Sequence, residues 1–110
     1  MLENLFGNKT AEKVLLHILH YGESHASAIA HDFKTALNPI RQQLNRFEKS
    51  GILISKVTGR SRIYAFNPKS PLTKPIKEIM EIAYESIPLQ ERQKIFHIRR
   101  RPRRKGKPIR

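Results

Sequence analysis

The sequence predicts an α+β domain, mainly helical. Three helices form its core, a β-hairpin follows, and a further C-terminal helix leads into a disordered basic tail. Three observations carry this reading. Apolar residues recur at helical spacing in four separate segments. One β-branched, partly alternating pair of runs is folded around a Gly-containing turn. The last twelve residues, RRRPRRKGKPIR, have no apolar periodicity and no acidic residue.

The first helix is expected over residues 9–21, where Ala11, Val14, Leu15, Ile18 and Leu19 share a stripe. Asn8 is its expected N-cap and Gly22 its stop. A short second helix is expected over residues 26–33, with Ala26, Ile29, Ala30 and Phe33 on one face. Two turns are unstable alone, so this helix must pack on neighbours. Lys34, Thr35 and Ala36 connect it to residues 37–51, LNPIRQQLNRFEKSG. There Asn38 is the expected N-cap, with Pro39 at the first helical position. Ile40, Leu44 and Phe47 make the buried stripe, and Gly51 closes the helix.

Residues 52–57 and 62–66 are expected to pair as a hairpin whose tip is Thr58-Gly59-Arg60-Ser61. Residues 72–87 form a further amphipathic helix through Leu72, Ile76, Ile79, Met80, Ala83 and Ile87, and Pro88 breaks it. Residues 89–98 continue as a second helical piece. The expected organisation is a domain over residues 1–71, a helical extension over 72–98, and a tail over 99–110.

The chain has 110 residues, enough for one domain with its own core. It has no cysteine, which excludes disulfides, thiolate metal sites and thiol nucleophiles. No apolar run is long enough for a membrane span, and the N-terminus lacks the basic start and apolar stretch of a signal peptide. The expected location is therefore the cytoplasm, with the nucleoid.

Charge is the strongest functional signal. The net charge is +13, and the pI is near 10.7. It is unevenly placed. Residues 1–32 carry −2, residues 33–62 carry +6 and the tail carries +8. A polyanion is the expected partner, nucleic acid before an anionic membrane surface.

The middle of the chain also carries a resemblance. Ile29-Ala30, then Ile40, Leu44 and Phe47, then Glu48-Lys49-Ser50-Gly51-Ile52-Leu53 resemble the recognition helix and its exit in winged helix-turn-helix regulators of the ArsR-like and MarR-like class. Leu5-Phe6-Gly7-Asn8-Lys9-Thr10 and Arg62-Ile63-Tyr64-Ala65-Phe66-Asn67-Pro68 are similar to the ends of small stand-alone ArsR-like proteins. The resemblance covers residues 5–68. It implies double-stranded DNA binding and transcriptional regulation, more often repression. It also implies that a helix beyond the hairpin pairs two subunits, here through Leu72, Ile76, Ile79, Met80, Ala83 and Ile87.

Residue chemistry agrees with that implication. Asn38, Arg41, Gln42, Asn45 and Arg46 lie off the buried stripe of the third helix, where a major groove would meet them. Arginine pairs with guanine or phosphate, and Gln or Asn with adenine. Lys34 and Thr35 sit in the preceding turn. Lys56, Arg60, Ser61 and Arg62 place hydrogen-bond donors on the hairpin. Arg99, Arg100, Arg101, Arg103, Arg104, Lys105, Lys107 and Arg110 can add phosphate contacts without sequence information.

Other chemistries lack their residues. Five histidines are present without cysteine and with a single aspartate, so no zinc site is expected. His17 and His20 are expected as partly exposed residues flanking the first helix's stripe. The cysteine pair of ArsR metal sensors is missing from Ala28-Ile29-Ala30-His31-Asp32-Phe33. No phosphate loop, nucleophile elbow or zincin motif occurs, and Ser24-His25 adjacency is not a dyad, so neither enzymatic activity nor a cofactor is expected. Two other readings stay open. One is a nonspecific nucleoid-associated or RNA-binding protein using the same fold and tail. The other is a protein-interaction module.

Overall fold

Asn8 sets the start of the central helix: its Oδ1 accepts the backbone N–H of Ala11 at 2.7 Å. The computed structural model describes residues 3–96. The expectations for residues 97–110, including all eight basic side chains of the tail, lie outside the described residues. The elements are α1 (Glu3–Phe6), α2 (Lys9–Tyr21), β1 (Ser24–His25), α3 (Ala26–Phe33), α4 (Leu37–Lys49), β2 (Leu53–Thr58), β3 (Ser61–Phe66), α5 (Thr73–Ser86) and α6 (Leu89–Ile95).

Helix α2 is the axis of the core. Ala11, Val14, Leu15 and Ile18 are fully buried, and Gly22 ends the helix at φ 86°. Ile29 and Ala30 of α3, Ile40, Leu44 and Phe47 of α4, and Met80, Ala83 and Tyr84 of α5 close around it. Truncating a side chain such as Leu15 to alanine would cost roughly 2–5 kcal/mol.

The hairpin has a two-residue loop, Gly59-Arg60, between the paired residues Thr58 and Ser61. Gly59 takes φ 62°, which glycine adopts without steric cost. A third strand was not expected. Ser24 and His25 pair antiparallel with Tyr64 and Ile63, giving the order β1-β3-β2. Two residues are too short for a period-2 signal, so this strand exists only through its pairing.

Helix α4 begins two residues earlier than expected. Ala36 is its N-cap without a side-chain bond, which puts Asn38 and Pro39 inside the first turn. The proline is tolerated there because first-turn N–H groups have no intrahelical partner. The turn itself needs Lys34 in the left-handed region, φ 55°, and the Thr35 N–H bonded to the Ala30 carbonyl at 3.0 Å.

The two histidines of α2 are not partly exposed. His17 and His20 retain only 2% and 5% of their surface. Each has a partner that burial requires. His17 Nε2–H donates to Asp32 Oδ2 at 2.7 Å, and His17 Nδ1 accepts from the Ser24 hydroxyl at 2.6 Å. Burial is the main cause holding the His17 pKa below its ordinary 6.5, and the Asp32 hydrogen bond opposes it. His20 Nδ1 lies 2.8 Å from the Tyr84 hydroxyl, and its ring stacks on Phe96 at 4.4 Å between centroids.

Candidate nucleic-acid interface

The buried stripe of α4 dictates what its other face shows. With Ile40, Leu44 and Phe47 inward, Asn38, Arg41, Gln42, Asn45, Arg46 and Lys49 are exposed. The antiparallel register then sets the hairpin beside this face. Arg62 stands opposite Val57, and Ser61 opposite Thr58.

The two elements meet in a polar hollow of about 310 Å³. Arg41 and Asn45 line it from α4, Arg60, Ser61 and Arg62 from the hairpin, and His25, Ala26 and Ser27 from the start of α3. Three arginines therefore line one concavity. The first turn of α3 opens into it and adds the positive end of a helix dipole. His25 shapes that turn, because its Nδ1 accepts the Ala28 N–H at 3.2 Å.

A hydrogen-bond relay holds the hairpin against α4. Arg62 Nη1 donates to Ser55 Oγ at 3.0 Å, and Ser55 Oγ–H donates to Glu48 Oε2 at 2.6 Å. Tyr64 lines the hollow from beneath. Burial, with Glu48 nearby, pushes its hydroxyl pKa up, so it stays a neutral donor.

No protein-family model matches the chain, and no curated protein matches it. Solved structures do. AntR, an antimony-specific transcriptional repressor, superposes with a TM-score of 0.57 at 22% identity, over 84% of this chain and 78% of AntR. Reduced AbfR bound to DNA superposes with a TM-score of 0.57 at 20% identity, over 86% of this chain and 70% of AbfR. ZitR from Lactococcus lactis, as an apo mutant, superposes with a TM-score of 0.56 at 13% identity, over 87% and 72%.

The chain has a winged helix-turn-helix fold. In winged-helix terms α3 and α4 are the helix-turn-helix, α4 is the recognition helix and β2–β3 is the wing. The structure brings Arg41 and Asn45 together with Arg60, Ser61 and Arg62 of the wing. Asn38 and Gln42 share the exposed face of the recognition helix outside the hollow, and Lys34 and Thr35 sit at its entry. Lys56 pairs with Ile63 and so lies on the other face of the wing from Arg62. Arg46 is engaged elsewhere. It donates to the Phe6 carbonyl at 3.2 Å and lies over the Phe47 ring at 5.2 Å.

Sequence reasoning missed His25, Ser27 and Tyr64 in the hollow. Strand β1, which has no signal of its own, brings His25 there, and the first turn of α3 that follows it brings Ser27. The helix beyond the wing divides its apolar residues. Met80 and Ala83 are buried in this chain's own core, so the expected subunit surface loses them. Ile76, Ile79 and Ile87 are half-buried, and Leu72 is exposed. Ile82, outside the expected stripe, is 65% exposed.

Proposed function

We propose that the protein is a sequence-specific double-stranded DNA-binding regulator, acting as a repressor by occluding its site. The single observation that supports this most is the shared hollow of recognition helix and wing. Arg41 and Asn45 offer base-edge chemistry, while Arg60 and Arg62 offer phosphate chemistry from a second element. Asn38 and Gln42 extend the reading face, and Lys34, Thr35 and Lys56 add flanking contacts, while Arg46 is held by the Phe6 carbonyl. The mechanism is non-catalytic, and the working location is the cytoplasm.

The basic tail is read as a phosphate anchor. The last described residue before it is Phe96. Phe96 is buried, with its ring 5.9 Å from that of Phe33. Phe33 is the last residue before the helix-turn-helix turn at Lys34.

A homodimer is read from the apolar residues that α5 and α6 leave outward. Leu72, Ile82 and Leu89 are each more than half exposed, and Ile79 shares the face of Ile82. Two subunits joined there would read two half-sites about one helical turn of DNA apart.

Selection of bound duplexes from a random pool at near-physiological salt tests the reading. Recovery of a motif with two related half-sites is the expected result. Tight, salt-sensitive binding without enrichment would favour the nonspecific DNA- or RNA-binding reading. That alternative draws on the charge of the tail, which carries no base-specific geometry.

A further inference from the structure

Behind the recognition surface lies a second, larger cavity of about 550 Å³. It sits between the end of α2, strand β1 and α3. Its volume falls in the range of small-molecule sites. Tyr21, Ala28 and Ile63 supply apolar lining. Asp32 and Glu23 supply carboxylates.

Glu23 and Asp32 are acidic, and no Lys or Arg is among the lining residues, although the chain nets +13. Asp32 Oδ2 meets the buried His17, whose pKa burial lowers, and Asp32 Oδ1 lies 3.3 Å from His31 Nδ1. Among the described residues, no group of three His, Asp or Glu side chains is arranged to hold a metal ion. The chemistry that suits an anionic, partly apolar cavity of this size is an organic cation.

The cavity also adjoins the hollow between α4 and the wing. His25 and Ser27 line both. His25 caps α3 through Ala28, and Ala28 itself lines the cavity. A ligand pressing on Ala28 therefore presses on the bond that shapes the first turn of α3.

We propose that this cavity is an effector site for a small primary amine with an apolar body, and that its occupancy is transmitted to the DNA-facing hollow through His25 and Ser27. The ammonium sits between Glu23 and Asp32, and the body lies against Tyr21, Ala28 and Ile63. The transmission half rests on the DNA-binding reading above. The binding half does not.

The test uses 2-phenylethylamine as probe and 3-phenylpropionate as its anionic counterpart. Amide chemical shifts of the full chain are followed by NMR during titration. Saturable shifts at Ser24, Ser27, Ala28 and His31 are expected with the amine, with a Kd on the order of 1 mM for so few atoms. The carboxylate should give none. Glu23→Gln, at an exposed position, should weaken the amine several-fold, on the order of one lost charge contact. Ala28→Leu should block it by filling the cavity. No saturable shift, or equal shifts with the carboxylate, overturns the site.

DNA affinity is then measured with and without saturating amine. A loss of about fivefold is expected, at the lower end of ordinary coupling. Unchanged affinity of an amine-loaded protein that does bind DNA overturns the transmission. If the amine-free chain binds no duplex at all, the DNA reading and the transmission fall together, while the NMR result still decides the site.

Discussion

Ser55 and Glu48 are joined by a 2.6 Å hydrogen bond that ties the wing to the recognition helix. Neither residue lines the hollow between α4 and the wing, yet Arg62, which does, hangs on Ser55 at 3.0 Å. The pair therefore positions a contact it does not make. Ser55→Ala should lower stability by roughly 1.5–3 kcal/mol, the range for a bond to a charged acceptor. It should also weaken duplex binding. Urea unfolding and a binding titration at one fixed salt check both effects. Full affinity in a measurably destabilised variant would show that the wing does not need this tether.

The arginines of α4 should behave differently. Arg41→Ala or Asn45→Ala should cost roughly 1–3 kcal/mol on a selected site and relax base preference at one position. Arg46→Ala should leave base preference intact, because its guanidinium is bonded to the Phe6 carbonyl. It should loosen α1 instead. Repeating the site selection with each variant separates these outcomes. A change in motif from Arg46→Ala would reverse the assignment.

Removing residues 99–110 should weaken all duplexes alike. Each lost phosphate contact flattens the salt slope by roughly 0.9 log unit, and the tail carries eight basic residues. The slope of log affinity against log salt, measured on cognate and random duplex, is the check. Loss of sequence preference on removing the tail would mean that the tail, not α4, reads bases.

His17 makes stability depend on pH in a definite direction. Its folded-state pKa lies below 6.5 because burial outweighs the help of Asp32, with His20 and His25 lowering it further. The unfolded chain therefore binds the proton first as pH falls. The His17 contribution is complete above about pH 6.5 and is lost as pH drops through the folded-state value. Melting temperatures of the natural chain and His17→Gln should converge on acidification from pH 8 toward pH 5. A constant gap would remove His17 from the acid response.

Ile82→Glu should yield a monomer if α5 pairs two subunits, since the residue is 65% exposed and makes no core. Its fold should survive. Met80→Glu, at a fully buried position, should unfold the chain instead. Analytical ultracentrifugation with circular dichroism distinguishes the two. A natural chain that sediments as a monomer would refute the dimer directly.

Much of the architecture was legible because periodicity and capping are local. Asn8 caps α2, and Ile40, Leu44 and Phe47 point inward, as their spacing requires. Gly59 turns the hairpin, and Pro88 separates α5 from α6. The exposed face of α4 followed from its buried one. Less legible was the start of α4, where Asn38 and Pro39 looked like a cap and first residue. The left-handed Lys34 and the Thr35 bond to Ala30 started the helix at Leu37 instead.

The sequence by itself determined the helices from α2 onward, the hairpin, the basic middle and the basic end, because each is written in contiguous residues. Only the tertiary structure decided which polar residues were spent inside. Residue spacing along α2 could not show that His17 meets Ser24 and Asp32, or that His20 meets Tyr84 and Phe96. Nor could it show that a two-residue strand and the first turn of α3 would carry His25 and Ser27 to the wall between two cavities. A buried polar group is stable only with a partner, and partners 7 to 64 residues away are supplied by packing, not by local pattern.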